Sequence, residues 1–394
     1  MSKDIKIGLF GFGCVGQGLH DVLNNSKGIT ADIHKIAVKD RNKKRKLDAS
    51  YFTYTKEEIL ENPDLNVIVE LIDDAEVAYN IVSSALKSGK EVVSANKKLV
   101  AEHLEEFVLL QQETGSSLLY EGAVCGSIPI IRTIEEYYNT ELLYSVSGIF
   151  NGSSNYILSK VFEEGLSYEV ALKQAQDLGF AETDPTLDVG GFDAKYKLVI
   201  LTAHSFGLIV KPEEVFNYGI QNLSPFDMQY AREKGLKIKL VPKVKRVSDN
   251  EITLYVIPQF VKEHDYLYEV ENEYNGVTVA AAFSEKQFFR GKGAGGHPTG
   301  SAVLSDIAAL RYGYGYEYRK YHELNGLKYT TDVDVKVFFR YLNKEQFVRE
   351  QFISVEEKYE SEAINYVTGS VKLSSLLRSD YFQQEGTFLV EMPD

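Results

Sequence analysis

Asp193 and Lys197 stand four residues apart where an acidic loop gives way to an apolar run. Phe192, Tyr196, Val199 and Ala203 recur at three and four and predict a helix from Phe192, with the Asp and the Lys on a neighbouring face. The carboxylate and the ammonium can therefore touch. On an exposed helix such a pair is a salt bridge worth about 0.2–0.5 kcal/mol. The approach to this helix argues for more. Glu182, Asp184 and Asp188 surround Pro185, and Gly190-Gly191 lets the backbone pass close to a ligand. Acids that can hold an ammonium group, beside a lysine that can move a proton, suit a small zwitterionic substrate. Lys97 is a second candidate lysine, because Ser94-Ala95-Asn96-Lys97 follows an apolar strand and would line a crevice at the strand's carboxyl end.

These groups need elements to hold them, and the first 128 residues supply a regular alternation. Ile5–Phe10 reads as a buried strand. It is followed by Gly11-Phe12-Gly13-Cys14-Val15-Gly16 and an amphipathic helix to about Leu23. Glycines at that spacing between a strand and a helix allow a tight turn and bring a pyrophosphate to the helix N-terminus. Further strands are expected at 33–38, 67–72, 91–94 and 117–120, with helices at 75–88 and 99–113. The pattern is a doubly wound α/β sheet. Asp40 at the end of the second strand would suit the ribose hydroxyls of NAD. The basic run around it, Lys39, Arg41, Lys43, Lys44 and Arg45, would accommodate the 2′-phosphate of NADP and tilts the expectation that way.

Beyond 128 the pattern changes. Glu121 to Pro129 is a turn of small residues leading into a helix. Asn151-Gly152-Ser153-Ser154 opens another helix, whose first amides could hold a carboxylate. Residues 236–290 alternate apolar and polar positions, as an antiparallel sheet does. Gly293-Ala294-Gly295-Gly296 then opens a helix expected to return to the first domain, with Gly295 near the cofactor. The expected organisation is a Rossmann-like domain over 1–128, completed by 291–312, an α+β substrate domain over 129–290, and a small α+β appendage over 313–394. In that appendage Val335–Phe339 reads as a strand, and a helix is expected near Asn343.

Composition narrows the function classes. The chain has 394 residues, 44% of them apolar and 25% charged, with no apolar run able to span a bilayer. A net charge of −14 argues against nucleic acid as a partner. Two cysteines, Cys14 and Cys125, are too few for a disulfide framework, and the N-terminus enters a strand at once, which together point to a cytoplasmic protein.

Taken in order and spacing, the glycine motif, Ala95-Asn96-Lys97, Glu121–Pro129, Asn151–Tyr156, the 179–201 stretch and Gly293–Gly296 with Thr299 resemble homoserine dehydrogenase over about residues 4–310. The resemblance implies reversible hydride transfer between a nicotinamide cofactor and aspartate β-semialdehyde, giving homoserine on the route to threonine, isoleucine and methionine. It implies Lys197 as acid/base, Asp193 as its partner and Lys97 near substrate and nicotinamide. It further implies that Glu182 and Asp188 face the substrate's amino group and that Gly152 and Ser153 face its carboxylate. Cofactor contacts are expected at Gly11 to Gly16, Lys39, Ser94, Lys97 and Gly295. Backbone carbonyls of Glu121, Val124, Gly126 and Ile128 would hold a monovalent cation, typically sodium, and the assembly would be a homodimer, with 129–290 as the dimerisation domain. Two departures stand out. Asp73-Asp74 replaces the family's usual Gly-Gly after the third strand, and 313–394 lacks the Pro-Gly turn usual in amino-acid-binding modules of the ACT type. Competing readings are an aspartate-semialdehyde dehydrogenase working through Cys125, and a non-catalytic dinucleotide sensor.

Overall fold

The computed structural model describes residues 4–323 and 326–393. They form two compact units, Met1–Asn139 with Gly291–Arg319 and Thr140–Arg290 with Lys320–Asp394.

The first unit carries a sheet of β1 (Ile5–Phe10), β2 (Ala31–Ala37), β3 (Phe52–Thr53), β4 (Val67–Glu70), β5 (Glu91–Ser94) and β6 (Leu118–Leu119). All neighbours pair parallel, in the order β3-β2-β1-β4-β5-β6. Helices cover a parallel sheet on both faces, so Val67, Ile68 and Val69 are all buried and the strands read as continuous apolar runs. Strand order reverses between β1 and β4, and ligands bind such sheets beyond the carboxyl ends of the strands at that point. The helices are α1 (Cys14–Asn25), α2 (Glu57–Leu60), α3 (Ala75–Lys87), α4 (Lys97–Thr114) and α5 (Ile130–Glu136), and α11 (Gly296–Leu310) returns from later in the chain, as expected. The α1–α11 crossing is tight. A Cβ on Gly18 would lie 2.0 Å from Gly296 O, and one on Gly300 would lie 2.6 Å from Leu19 N. Only glycine permits that approach.

The second unit is built on one eleven-stranded sheet. Its strands are β7 (Leu143–Ile149), β8 (Phe216–Asn217), β9 (Leu236–Ser248), β10 (Glu251–Lys262), β11 (Tyr274–Ala281), β12 (Lys286–Lys292), β13 (Lys328–Tyr329), β14 (Asp334–Tyr341), β15 (Ser354–Glu360), β16 (Asn365–Lys372) and β17 (Phe388–Glu391). The order is β12-β11-β7-β9-β10-β17-β14-β16-β15, with β8 and β13 pairing with β10. The expected antiparallel region is the β9–β10 hairpin and the β11–β7–β9 run. Its helices are α6 (Gly152–Glu163), α7 (Tyr168–Asp177), α8 (Thr186–Val189), α9 (Phe192–Phe206) and α10 (Pro225–Glu233), with α12 (Arg319–Glu323) and α13 (Leu373–Arg378) later. α6 and α9 both pack against β9.

The division expected at 312/313 needs correction. Residues from Lys320 onward belong to the second unit, because β17 lies between β10 and β14 and carries the sheet on through β16 to β15. The first domain also extends past 128, to Asn139. Within the tail, β14 to β17 are arranged in the order 17-14-16-15, the split βαβ plan. The helix expected near Asn343 is reduced to 3₁₀ turns at Lys344–Gln346 and Arg349–Gln351. Side chains reinforce the join. The buried guanidinium of Arg340 on β14 donates to both carboxylate oxygens of Asp227 on α10, at 2.8 and 3.1 Å, and to the carbonyls of Gly386 at 2.8 Å and Asn222 at 2.6 Å.

Candidate active site

In the second unit, α9 starts where the sequence places it, and Asp193 and Lys197 meet on its first turns. The Lys197 ammonium donates to Asp193 Oδ2 at 2.7 Å and to the Phe150 carbonyl at 2.6 Å. Side-chain exposures of 9% and 5% for Lys197 and Asp193 set this pair apart from a surface salt bridge. Asn151 completes the cluster. Its side-chain amide donates to Asp193 Oδ2 at 2.9 Å and to Asp188 Oδ1 at 2.7 Å, while its Oδ1 accepts from Ser154 N at 2.7 Å. That last bond caps α6, so one residue fixes the helix start and aligns two carboxylates. Sequence reasoning noticed the Asn-Gly turn and missed this second role.

The other residues expected around a substrate fall into two groups. Asp188 on α8 is half-buried and joined to the cluster through Asn151. Gly152 is the first residue of α6, and a Cβ there would lie 2.7 Å from Glu273 O. Ser153 is buried, and its hydroxyl donates to the Phe180 carbonyl, which leaves its backbone amide as the group suited to an anion. Glu182 is exposed and is held through its backbone carbonyl by Gln176 Nε2 at 3.0 Å, and its carboxylate takes no part in this bonded cluster.

In the first unit the glycine turn fits a dinucleotide. Gly11 has φ +95°, and a Cβ there would lie 2.3 Å from Leu71 O. Around Gly13 nothing lies within 4 Å of a Cβ, so the backbone is bare at the place a pyrophosphate would occupy. Gly16 brings α1 against the turn, its Cβ position 2.5 Å from Gly11 O. Cys14 and Val15 form the first turn of α1. Gly295 precedes α11 with φ +116°, and Gly296 packs on Cys14, its Cβ position 2.8 Å from the Cys14 carbonyl. A cavity of about 650 Å³ opens here, lined by Phe12, Gly13, Lys39, Asp40, Arg45 and Tyr54 among others. Asp40 spends Oδ1 on the amides of Asn42 and Lys43, at 2.7 and 3.2 Å, and Arg45 donates to the carbonyls of Asp40 and Lys43, at 2.8 and 2.9 Å. Both shape the loop. Lys39 is exposed, 3.5 Å from Asp74 Oδ2. Asp74 also caps α3 by accepting from Val77 N at 3.0 Å, and that bond holds its carboxyl below the usual range. The Asp73-Asp74 departure thus includes a helix cap.

Behind this face lies a buried acid that the sequence reading passed over. Glu70, at the end of β4, accepts from Ser94 Oγ at 2.6 Å and from Ile72 N at 2.7 Å. Burial outweighs those bonds and pushes its carboxyl up to about 7. Ser94 is itself buried, so its hydroxyl serves Glu70 and the Asn96 amide, which lies 3.0 Å away. Asn96 caps α4 at Leu99 N, 3.0 Å, and ties back to the Ile72 carbonyl at 3.1 Å, presenting half-buried Lys97 as the first residue of that helix. In the 121–128 loop the Glu121 carboxylate accepts from Ile131 N and Arg132 N, both at 2.8 Å, so a cation would have to be met by the carbonyl, which also accepts from Val124 N at 3.2 Å. Cys125 and Gly126 both take left-handed conformations, φ 54° and 56°. The buried Cys125 thiol is poorly placed to attack a substrate.

Comparison with known proteins accords with this geometry. A family model described as homoserine dehydrogenase matches residues 129–308, and one described as homoserine dehydrogenase, NAD binding domain, matches 11–121. A homoserine dehydrogenase of Bacillus subtilis (strain 168) is 37% identical over 317 residues, covering 78% of this chain and 73% of its own length. The crystal structure of a homoserine dehydrogenase from Thiobacillus denitrificans superposes with a TM-score of 0.87 at 29% identity, covering 100% of this chain and 99% of that one. A hyperthermophilic archaeal homoserine dehydrogenase in complex with NADPH gives a TM-score of 0.69 at 25% identity, covering 80% of this chain and 99% of its own.

Proposed function

The chain belongs to the homoserine dehydrogenase family, and from that premise we propose that Lys197, held by Asp193, is the acid–base group for interconverting aspartate β-semialdehyde and L-homoserine. The observation that carries this reading is the buried Asp193–Lys197 contact at 2.7 Å. An ammonium has three N–H donors. Among the described residues, two of those on Lys197 have acceptors, Asp193 and the Phe150 carbonyl, and the third is left for the substrate oxygen. A bound nicotinamide dinucleotide supplies the hydride in reduction and accepts it in oxidation. As the aldehyde carbon gains hydride, Lys197 gives its proton to the oxygen, and in the reverse direction it takes the hydroxyl proton back. Asp193 keeps the ammonium aimed and stabilises its charge. Asp188 and Glu182 face the substrate's amino group, and the first-turn amides of Gly152 and Ser153 take its carboxylate.

The cofactor contacts proposed are the 11–16 turn, Lys39, Ser94, Lys97 and Gly295, with NADP favoured by Lys39. Ser94 acts there through its backbone, since its hydroxyl serves Glu70. We assign the carbonyls of Glu121, Val124, Gly126 and Ile128 to a sodium ion, supported by the compact left-handed turn at 125–126. A homodimer and a place in threonine, isoleucine and methionine synthesis complete the proposal. Among the described residues no helix is long and apolar enough to cross a membrane. The test is homoserine oxidation with NAD and NADP side by side, with and without sodium. Turnover with a lower KM for NADP supports the reading. Absence of turnover with both cofactors, each shown to bind, would leave a dinucleotide sensor.

A further inference from the structure

Lys195 lies between Asp193 and Lys197 in sequence and points elsewhere. Two residues along a helix is about 200° of rotation, so its side chain leaves α9 on the face away from the proposed acid–base pair. That face borders a cavity of about 220 Å³ within the second unit, lined by Phe192, Lys195, Glu213, Val215, Asn217 and Leu377 among others. Leu377 belongs to α13, so the tail supplies part of the wall.

The ammonium there is under-satisfied. Lys195 is 8% exposed, yet among the described residues its only hydrogen-bond acceptor is Asn217 Oδ1, at 2.7 Å. Asn217 cannot turn away, because its amide nitrogen donates to the Gly190 carbonyl at 2.7 Å. Its other contacts are the face of the Phe192 ring, 5.0 Å to the centroid, and the charge of exposed Glu213, so two N–H donors remain beside an open volume without an acceptor, and a bound anion would supply one.

We propose that this cavity binds a small monocarboxylate, seated with its carboxylate on the Lys195 ammonium. The charge of the anion follows from the lining. Lys195 is the one basic group bordering the cavity among the described residues, and exposed Glu213 also borders it, which disfavours a dianion such as phosphate. Size follows from the volume, which lies below the roughly 300–1,000 Å³ of drug-sized sites. Phe192, Val215 and Leu377 offer apolar contact to a short aliphatic tail. Burial holds the Lys195 ammonium below its usual range, and an anion beside it would draw the proton back.

The test is independent of the reaction proposed above. Propionate is titrated against the full-length protein and followed by saturation-transfer NMR, with phosphate as competitor at constant ionic strength. Lys195→Met removes the charge at similar length, and Leu377→Trp fills the cavity from the tail without touching α9. Saturable propionate binding, weakened at least tenfold by each variant and unaffected by phosphate, is the expected result. Absence of saturable binding to the wild type, binding that neither folded variant weakens, or displacement by phosphate at equal concentration would each overturn the assignment.

Discussion

The side-chain amide of Asn151 donates to Oδ2 of Asp193 at 2.9 Å, the same oxygen that receives the Lys197 ammonium. Removing Asn151 should therefore do two separable things. Asn151→Ala loses the α6 cap, costing about 1 kcal/mol of stability, and lets Asp193 drift. Hydrogen bonds to charged groups contribute about 1.5–3 kcal/mol, so kcat should fall roughly ten- to hundredfold. Asn151→Ser keeps a capping hydroxyl too short to reach both carboxylates. It should recover the stability and leave kcat low, which urea unfolding and steady-state rates on the two variants can distinguish.

Glu70 gives the fold a pH dependence of known sign. Its carboxyl is raised from 4.5 to about 7 in the folded state, so between those values the unfolded chain releases this proton first. The group's contribution to stability is thus full below about 4.5, falls as pH rises, and is lost above about 7. At about 1.4 kcal/mol per pH unit, the change amounts to roughly 3 kcal/mol. Glu121 and Asp306 are raised by burial as well, so the wild-type slope is shared. The informative quantity is the difference between wild type and Glu70→Gln. Thermal unfolding from pH 4.5 to 8 should show the variant gaining on the wild type as pH rises, and parallel curves would refute the assignment.

Arg340 joins the tail to the rest of its unit through a buried ion pair with Asp227. Breaking such a pair from one side costs about 3–5 kcal/mol, because the surviving charge stays buried. Arg340→Met should lose that much in urea unfolding. Adding Asp227→Leu should recover part of it, although the Ser224 cap contributed by Asp227 is lost too.

Lys39 and Arg45 should differ as cofactor determinants although both are basic and close in sequence. Lys39→Ala should raise KM for NADP and hardly change KM for NAD. Arg45 holds the Asp40 and Lys43 carbonyls, so Arg45→Ala should disturb the loop and raise both KM values. Equal responses to Lys39→Ala would make that residue a bystander.

The sequence made legible whatever depends on local periodicity. β1 and β5 fall where the apolar runs end, and the Asp193–Lys197 contact follows from one helical turn. The two-residue strand β3 carries too little pattern to show. The tail was misjudged because strand pairing over long separations leaves no local trace. Nothing near Glu391 signals that β17 lies beside β10, with Lys243 2.9 Å and Tyr255 2.9 Å from the Glu391 carboxylate. Glu70 was hidden because one acid at the end of an apolar strand looks the same whether it faces solvent or a neighbouring serine. Asn151 was half seen, since a cap is a local signal and a bond to a helix about forty residues onward is not.

The measurement that bears most directly on the account is kcat for homoserine oxidation by Lys197→Ala, with folding checked by circular dichroism and cofactor affinity by fluorescence titration. Loss of a general acid–base group costs about 10²–10⁴ in rate. A loss of that size, with fold and cofactor affinity retained, is the expected result. A folded variant keeping half of the wild-type kcat would contradict it.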